Sequence, residues 1–407
     1  MRLTVAIMLG APLTTQNLDR VHAAILAQKF KVIILDFSTL VYPNSAILSG
    51  EQFEWENHLK INSIFELREI LGQGKISYAL DFIGKNPLRN QIAKELRKSS
   101  TKLVVQKFGP LPTRINPKLR VLEIKNQFSG SKRSDETRVY RNSEKDVKNL
   151  RNESKIFKIF LKLTHSFVQA FLLRLDNPYI VLQVKNRFAS WESIFAKKVI
   201  QIASNDFHRF NSEPLLASKK TLNTSNYAVF VDDCLIESLD WRIIGADAPI
   251  NKKIYFKTLN AFFDQIEIEH DVRVVIAGHP NTESNSNYNK NFMNRPVVYS
   301  KTCALVQNAR FVMVHASTAI SYAVLAKKPV ITMTSTDIMK THIGRTVQAM
   351  TYALGTFLVN LDSLPKNISV PEIKDYKYIR YEKSYIKSSG VSEEVPMENF
   401  TNFVIGR

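Results

Sequence analysis

The stretch Ala309–Ile331, ARFVMVHASTAISYAVLAKKPVI, decides the fold. An apolar run, Phe311 to Val314, stops at His315 and is followed by the small pair Ser317-Thr318. A helical pattern then runs over 318–327, and Lys328-Pro329 leads into a second apolar run, 329–334. Short apolar runs joined by a helix of this length predict parallel strands with a crossover, the unit of a doubly wound α/β sheet.

The same alternation extends in both directions. Upstream, 227–233 (YAVFVDD) and 272–278 (VRVVIAG) read as strands. They flank a helix over 253–270 with Leu259, Phe262, Phe263 and Ile266 on one face. A short helix carries Leu305 and Val306. Downstream, 342–354 reads as a helix and 355–361 as the last strand. The beginning of the chain repeats the theme. Strands are expected over 3–10, 30–37, 76–82 and 102–108. Helices are expected over 14–28, with Leu18, Val21, His22 and Ile25 on one face, and near 87–98.

The expected architecture is therefore α/β, with two doubly wound Rossmann-like domains facing a cleft. The first spans 1–220 and carries a basic insertion near 113–175. The second spans 221–370, and the tail 371–407 is expected to pack back on the first domain. The 407 residues and 44% hydrophobic content suit two sizeable cores. Only two cysteines occur, Cys234 and Cys303, which fits a reducing compartment rather than a disulfide scaffold. The opening MRLTVAIMLG is too short an apolar run, with one Arg, to read as a signal peptide. No run approaches the roughly 18 uncharged apolar residues of a membrane span. The expected location is the cytoplasm, with peripheral contact to the inner membrane.

The net charge of +19 is concentrated. Residues 85–162 hold 21 Lys/Arg against 7 Asp/Glu. Such a field attracts anions: an acidic glycan, an anionic membrane or nucleic acid. Alternatively it is a solvated surface loop. Residues 130–154 are polar and aperiodic, and 156–175 is rich in Phe and Leu with Lys158, Lys162 and Arg174 interspersed. That last segment reads equally as a helix in a membrane interface or as a core helix. Nucleic acid ranks last as a partner, since the stretch holds no recognisable binding module.

Open α/β sheets bind ligands at the carboxyl ends of their strands. Two joints there stand out. One strand ends in Gly278, His279, Pro280 and Asn281, the other in His315, Ala316, Ser317 and Thr318. Backbone N–H groups and hydroxyls at the start of a helix suit phosphate, and an imidazole can donate to a leaving phosphate. Plain helix capping and a His-Pro turn are the structural alternatives. In the first domain Gly10 and Pro12 follow the first strand, where a glycine lets a ligand approach the backbone. No G-x-G-x-x-G fingerprint, P-loop, zinc spacing or G-x-S-x-G occurs, so neither cofactor nor metal is expected.

The runs VVIAGHPN and CALVQNARFVMVHASTAISYAVLAKKPVI resemble the nucleotide-binding half of bacterial GT-B glycosyltransferases of surface polysaccharide synthesis. They are most similar to bacterial sialyltransferases and polysialyltransferases, which carry an HP and a later SS/ST motif. CDP-glycerol transferases share a similar late motif followed by a helix and KP. The matching residues are His279-Pro280, Ser317-Thr318 and Lys328-Pro329, within roughly 225–335. The resemblance implies a donor site of His279, Pro280, Asn281, His315, Ser317 and Thr318. It implies a CMP- or CDP-linked sugar as donor, and a glycan or lipid-linked glycan as acceptor on the side of Gly10 and Pro12. It also implies a general base from an acidic D/E-D/E-G triplet, which this chain lacks. Candidates for that base are Asp206, Asp232 and Asp233, with His208, Asp19 and His22 further afield. Two rivals share the scaffold: a UDP-sugar 2-epimerase, whose later joint is usually Ser-Gly-Gly, and a non-catalytic polysaccharide-assembly protein.

Overall fold

The computed structural model describes residues 2–13, 15–41, 55–84, 88–107, 111–112, 178–184, 191–212, 226–238, 247–283 and 285–406. The insertion 113–175, with the segment 156–175, lies outside the described residues. Among the described residues no helix is long and apolar enough to cross a membrane.

Two parallel sheets organise the chain. The first comprises β1 (Thr4–Leu9), β2 (Lys31–Asp36), β3 (His58–Lys60), β4 (Ile76–Phe82), β5 (Lys102–Lys107), β6 (Ile180–Gln183) and β7 (Lys198–Gln201), in the order β3-β2-β1-β4-β5-β6-β7. The second comprises β8 (Tyr227–Val231), β9 (Arg273–Ala277), β10 (Val297–Val298), β11 (Val312–Val314), β12 (Val330–Thr334) and β13 (Leu358–Asn360), in the order β10-β9-β8-β11-β12-β13. Strand order reverses between β1 and β4 in one sheet and between β8 and β11 in the other. Each sheet therefore has a switch point, where loops diverge and leave a crevice at the strand ends.

Helices cover both faces of each sheet, so alternate strand residues enter different cores and the central strands are mostly apolar. In β8, Tyr227, Val229 and Val231 face one core while Ala228 and Phe230 face the other. In β1, Val5, Ile7 and Leu9 oppose Ala6 and Met8 in the same way. The long helix Lys252–His270 starts at Asn251, whose side chain accepts the Ile254 N–H at 3.1 Å. Helix His342–Leu354 ends at Gly355, whose φ of 71° lets its N–H turn back to Thr351 and Tyr352.

The chain passes between the two bodies more than once. Ile202 lies in a first-sheet core, whereas Ala203 and Phe207 already lie in a second-sheet core. Near the end, Tyr378, Tyr381 and Ile386 pack in the second core, and Met397 and Phe400 of helix Pro396–Ile405 pack in the first. The Ser204 N–H donates to the Ile386 carbonyl at 2.8 Å, tying the two passages together.

Two local expectations differ from the structure. The helix expected over 14–28 is broken into Thr15–Arg20 and Ala23–Lys29, with His22 between them at φ 52°, ψ 43°. A left-handed non-glycine residue costs about 1–2 kcal/mol. Asn205 is the neighbour at this break. Its amide donates to the Arg20 carbonyl at 3.2 Å, and its Oδ1 is 3.5 Å from His22 Nε2. The helix expected over 318–327 is also shorter, Ile320–Leu325.

Candidate functional site

At the second switch point the loop after β8 carries Asp232, Asp233 and Cys234. Beside it runs the loop after β9 with His279, and on its other side the turn after β11 with Ala316 and Ser317. The sheet order thus places the expected donor-side residues on the two strand ends that flank the Asp232–Asp233 loop.

Asp232 is buried and fully engaged. The Tyr288 hydroxyl donates to both its oxygens, at 3.1 and 3.0 Å, and the Cys234 N–H donates to Oδ1 at 3.0 Å. The backbone N–H of His279 also bonds this carboxylate. Burial nonetheless pushes the Asp232 carboxyl up to about 6.

Asp233 reaches across the switch point. Its Oδ2 accepts the Ala316 N–H at 2.6 Å, and Ser317 adds a side-chain hydrogen bond. Its Oδ1 is buried with no partner among the described residues. Burial first, then repulsion from Asp232, pushes this carboxyl up to about 7, against the pull of Ala316 and Ser317. Asp233 therefore already occupies the N–H and hydroxyl that sequence reasoning reserved for phosphate. Ser317 does not cap a helix directly either. Its hydroxyl accepts the Ala319 N–H at 3.3 Å, and the helix begins at Ile320. With six residues that helix contributes little aligned dipole, so the hydroxyls, the turn N–H groups and Asp233 set the local field. Thr318 is exposed beside this turn.

His279 is half-buried and shapes a turn. Its Nδ1 accepts the Asn281 N–H at 3.2 Å, and the Thr282 hydroxyl donates to its carbonyl at 2.9 Å. Pro280 and Asn281 are exposed on the short 3-10 turn that follows. Tyr299 braces this loop. Its ring lies where a Cβ on Gly278 would stand, and its hydroxyl donates to the Thr282 carbonyl at 3.1 Å.

His315, expected on the donor side, has its side chain packed in the interior and engaged on both ring nitrogens. It is completely buried, with Nδ1 2.8 Å from the Met333 carbonyl and Nε2 3.0 Å from the Tyr255 hydroxyl. The carbonyl can only accept, so Nδ1 carries the proton and Nε2 accepts from Tyr255. Burial drives its pKa down to about 4 and keeps the ring neutral. Its place at a strand end is a packing role.

Asp206 stands apart from the Asp232–Asp233 pair. It lies on helix Asn205–Ser212 and is bonded by Tyr322 and Ser321 of the following domain's short helix. Burial raises it to about 6. His208 on the same helix bonds the Glu393 backbone and is pushed down to about 4 by burial, with Nε2 buried and unpartnered among the described residues. His22 is half-buried and lowered, chiefly by burial. Asp19 is exposed.

Gly10 and Pro12 belong to the first sheet's switch point, not to this cluster. A Cβ on Gly10 would come within 2.5 Å of the Ile83 carbonyl oxygen and 2.9 Å of its Cα. The close approach of the β1 and β4 exits is by itself enough to require glycine here. Among the described residues no group of His, Cys, Asp and Glu could hold a metal ion.

Sequence reasoning missed Tyr255 and Tyr288, which hold His315 and Asp232. Both are tyrosines in apolar surroundings, and a buried tyrosine hydroxyl needs a polar partner. That was the available signal.

No family model matches this chain, and no curated protein does. Solved structures similar to it include the UDP-GlcNAc 2-epimerase from Methanocaldococcus jannaschii, at 12% identity and TM-score 0.45 over 100% of both chains. MurG from Acinetobacter baumannii aligns over 100% of both chains at 8% identity and TM-score 0.48. Phytolacca americana UGT2, complexed with UDP-2fluoro-glucose and pterostilbene, aligns over 99% of each chain at 8% identity and TM-score 0.41. The strand order and parallel register of this chain establish its two doubly wound sheets independently of these likenesses.

Proposed function

We propose that the chain is a glycosyltransferase that moves a sugar from a nucleotide donor onto a bacterial surface glycan such as capsule or lipopolysaccharide, with a cytidine nucleotide favoured. One observation carries the reading: the loops after three adjacent strands interlock at the switch point of the second sheet, Asp232 accepting the His279 N–H and Asp233 the Ala316 N–H, with Ser317 bonded to Asp233. Such a crevice suits a nucleotide sugar's phosphate. In this reading His279, Ser317 and Thr318 contact the phosphate, and Pro280 and Asn281 shape the loop against the base. The acceptor lies toward the first sheet, near Gly10 and Pro12. The basic stretch 85–162 holds an anionic glycan or the inner leaflet.

An inverting transfer needs a group to take the acceptor hydroxyl's proton. Asp232 is sequestered by Tyr288, and Asp206 by Ser321 and Tyr322. Asp233 has one oxygen without a partner among the described residues, but its other oxygen holds the donor-side Ala316 N–H, so none of the three carboxyls is assigned as the base. The test is incubation of candidate nucleotide sugars with and without glycan acceptors. Transfer to an acceptor, lost in His279→Ala while the fold survives, supports the reading. A donor altered at its sugar without any acceptor points to the epimerase instead, and undiminished transfer in His279→Ala removes His279 from the site.

A further inference from the structure

The candidate donor crevice is closed in this structure by the protein's own anion. The loop after β8 and the turn after β11 diverge at the switch point, and the Asp233 carboxylate spans them through Ala316 N–H and Ser317. We propose that Asp233 is a releasable latch on this crevice, occupying the contacts a donor phosphate uses, so that nucleotide binding requires the latch to let go. The inference rests on the nucleotide-sugar reading given above.

Three features make the latch releasable. First, Oδ1 is buried without a partner among the described residues, and an unsatisfied buried polar atom costs about 1–3 kcal/mol. Second, its surroundings are acidic or uncharged. Asp232 and Cys234 flank it on its own loop, and the Tyr255 hydroxyl approaches from helix Lys252–His270. Tyr288, the His279 N–H and Glu237 act on it only through Asp232, and Glu237 is itself paired with Lys252 at 2.7 Å. Third, burial and Asp232 hold its carboxyl near 7, so it changes charge within the physiological range.

Phosphate and carboxylate cannot share one N–H and one hydroxyl, because both only accept hydrogen bonds and both are negative. Binding of a phosphate is therefore coupled to protonation of Asp233. Above neutral pH the ionised latch competes and affinity falls. Below it the neutral acid yields and affinity rises.

The experiment is calorimetric titration of the full chain with CDP and UDP at pH 6.0, 7.0 and 8.0, in pairs of buffers of different ionisation enthalpy. The latch predicts uptake of close to one proton per nucleotide at pH 8. It also predicts an affinity roughly tenfold or more lower there than at pH 6. In Asp233→Asn, affinity at pH 8 rises about tenfold and the proton uptake disappears. Binding without proton uptake in the wild type overturns the latch while leaving the nucleotide reading intact, and does so without relying on the variant's folding. Failure of both nucleotides to bind wild type and variant alike, at every pH, overturns the nucleotide reading and the latch together.

Discussion

Replacing His315 by Leu tests whether a histidine at a ligand-facing strand end is there for packing. Leucine has a similar volume, so the cavity term is small. What is lost are two hydrogen bonds, leaving the Met333 carbonyl and the Tyr255 hydroxyl buried and unpaired. At about 1–3 kcal/mol for each orphaned group, the variant should lose about 2–5 kcal/mol at pH 7.5. The loss should depend on pH. Burial lowers the His315 pKa from 6.5 to about 4, so the unfolded chain takes up a proton in that window and the folded chain does not. Stability from the neutral ring is fully present above 6.5 and drains away as pH falls toward 4. At about 1.4 kcal/mol per pH unit, roughly 2–3 kcal/mol is gone by pH 4.5. The wild-type profile alone will not display this. His208 shifts in the same direction, whereas Asp206, Asp232 and Asp233 are raised and so gain stability as pH falls. The difference between wild type and variant isolates His315. Urea unfolding at both pH values should show the penalty of His315→Leu shrinking by about 2–3 kcal/mol on acidification. An equal penalty at pH 7.5 and 4.5, or a fully stable variant that fails to bind nucleotide, would refute the packing role.

Two further substitutions probe the frame. Gly10→Ala forces a Cβ against the Ile83 backbone and should cost about 1–3 kcal/mol. Gly72→Ala, in a helix with nothing within 4 Å, should instead gain up to about 1 kcal/mol; thermal melts of the two must move in opposite directions. Phe400→Ala should lower stability by about 3–5 kcal/mol by emptying a fully buried site on the first sheet, against Phe30 and Tyr78. Hydrogen exchange should then report the loss in β1 and β4 rather than in β8.

The doubly wound sheets were legible because a parallel strand covered on both faces needs a continuous apolar run, and β1, β4, β8, β9 and β12 each supply one. Strands β3 and β10 were not legible. His58–Lys60 and Val297–Val298 are too short to show a pattern, and only their neighbours make them strands. The break at His22 could not be read because Leu18, Val21 and Ile25 keep helical spacing through it, and its partner Asn205 is 183 positions away. At the site, residue types were readable but occupancy was not. Ser317 and His315 are adjacent polar strand-end residues in sequence. One faces Asp233 and the other lies between Tyr255 and Met333. That distinction arises from Met333, 18 positions from His315, and from Tyr255 and Asp233, 60 or more positions away, beyond the reach of local spacing.

The most direct test of the central claim is a calorimetric titration with CMP, CDP, UDP and GDP at pH 6, on wild type and on the Ser317→Ala/Thr318→Ala double variant. The account predicts that a cytidine nucleotide binds the wild type most tightly, and that the double variant, still folded, binds it at least tenfold more weakly. Undiminished binding in the double variant, or no nucleotide binding by the wild type, would contradict it.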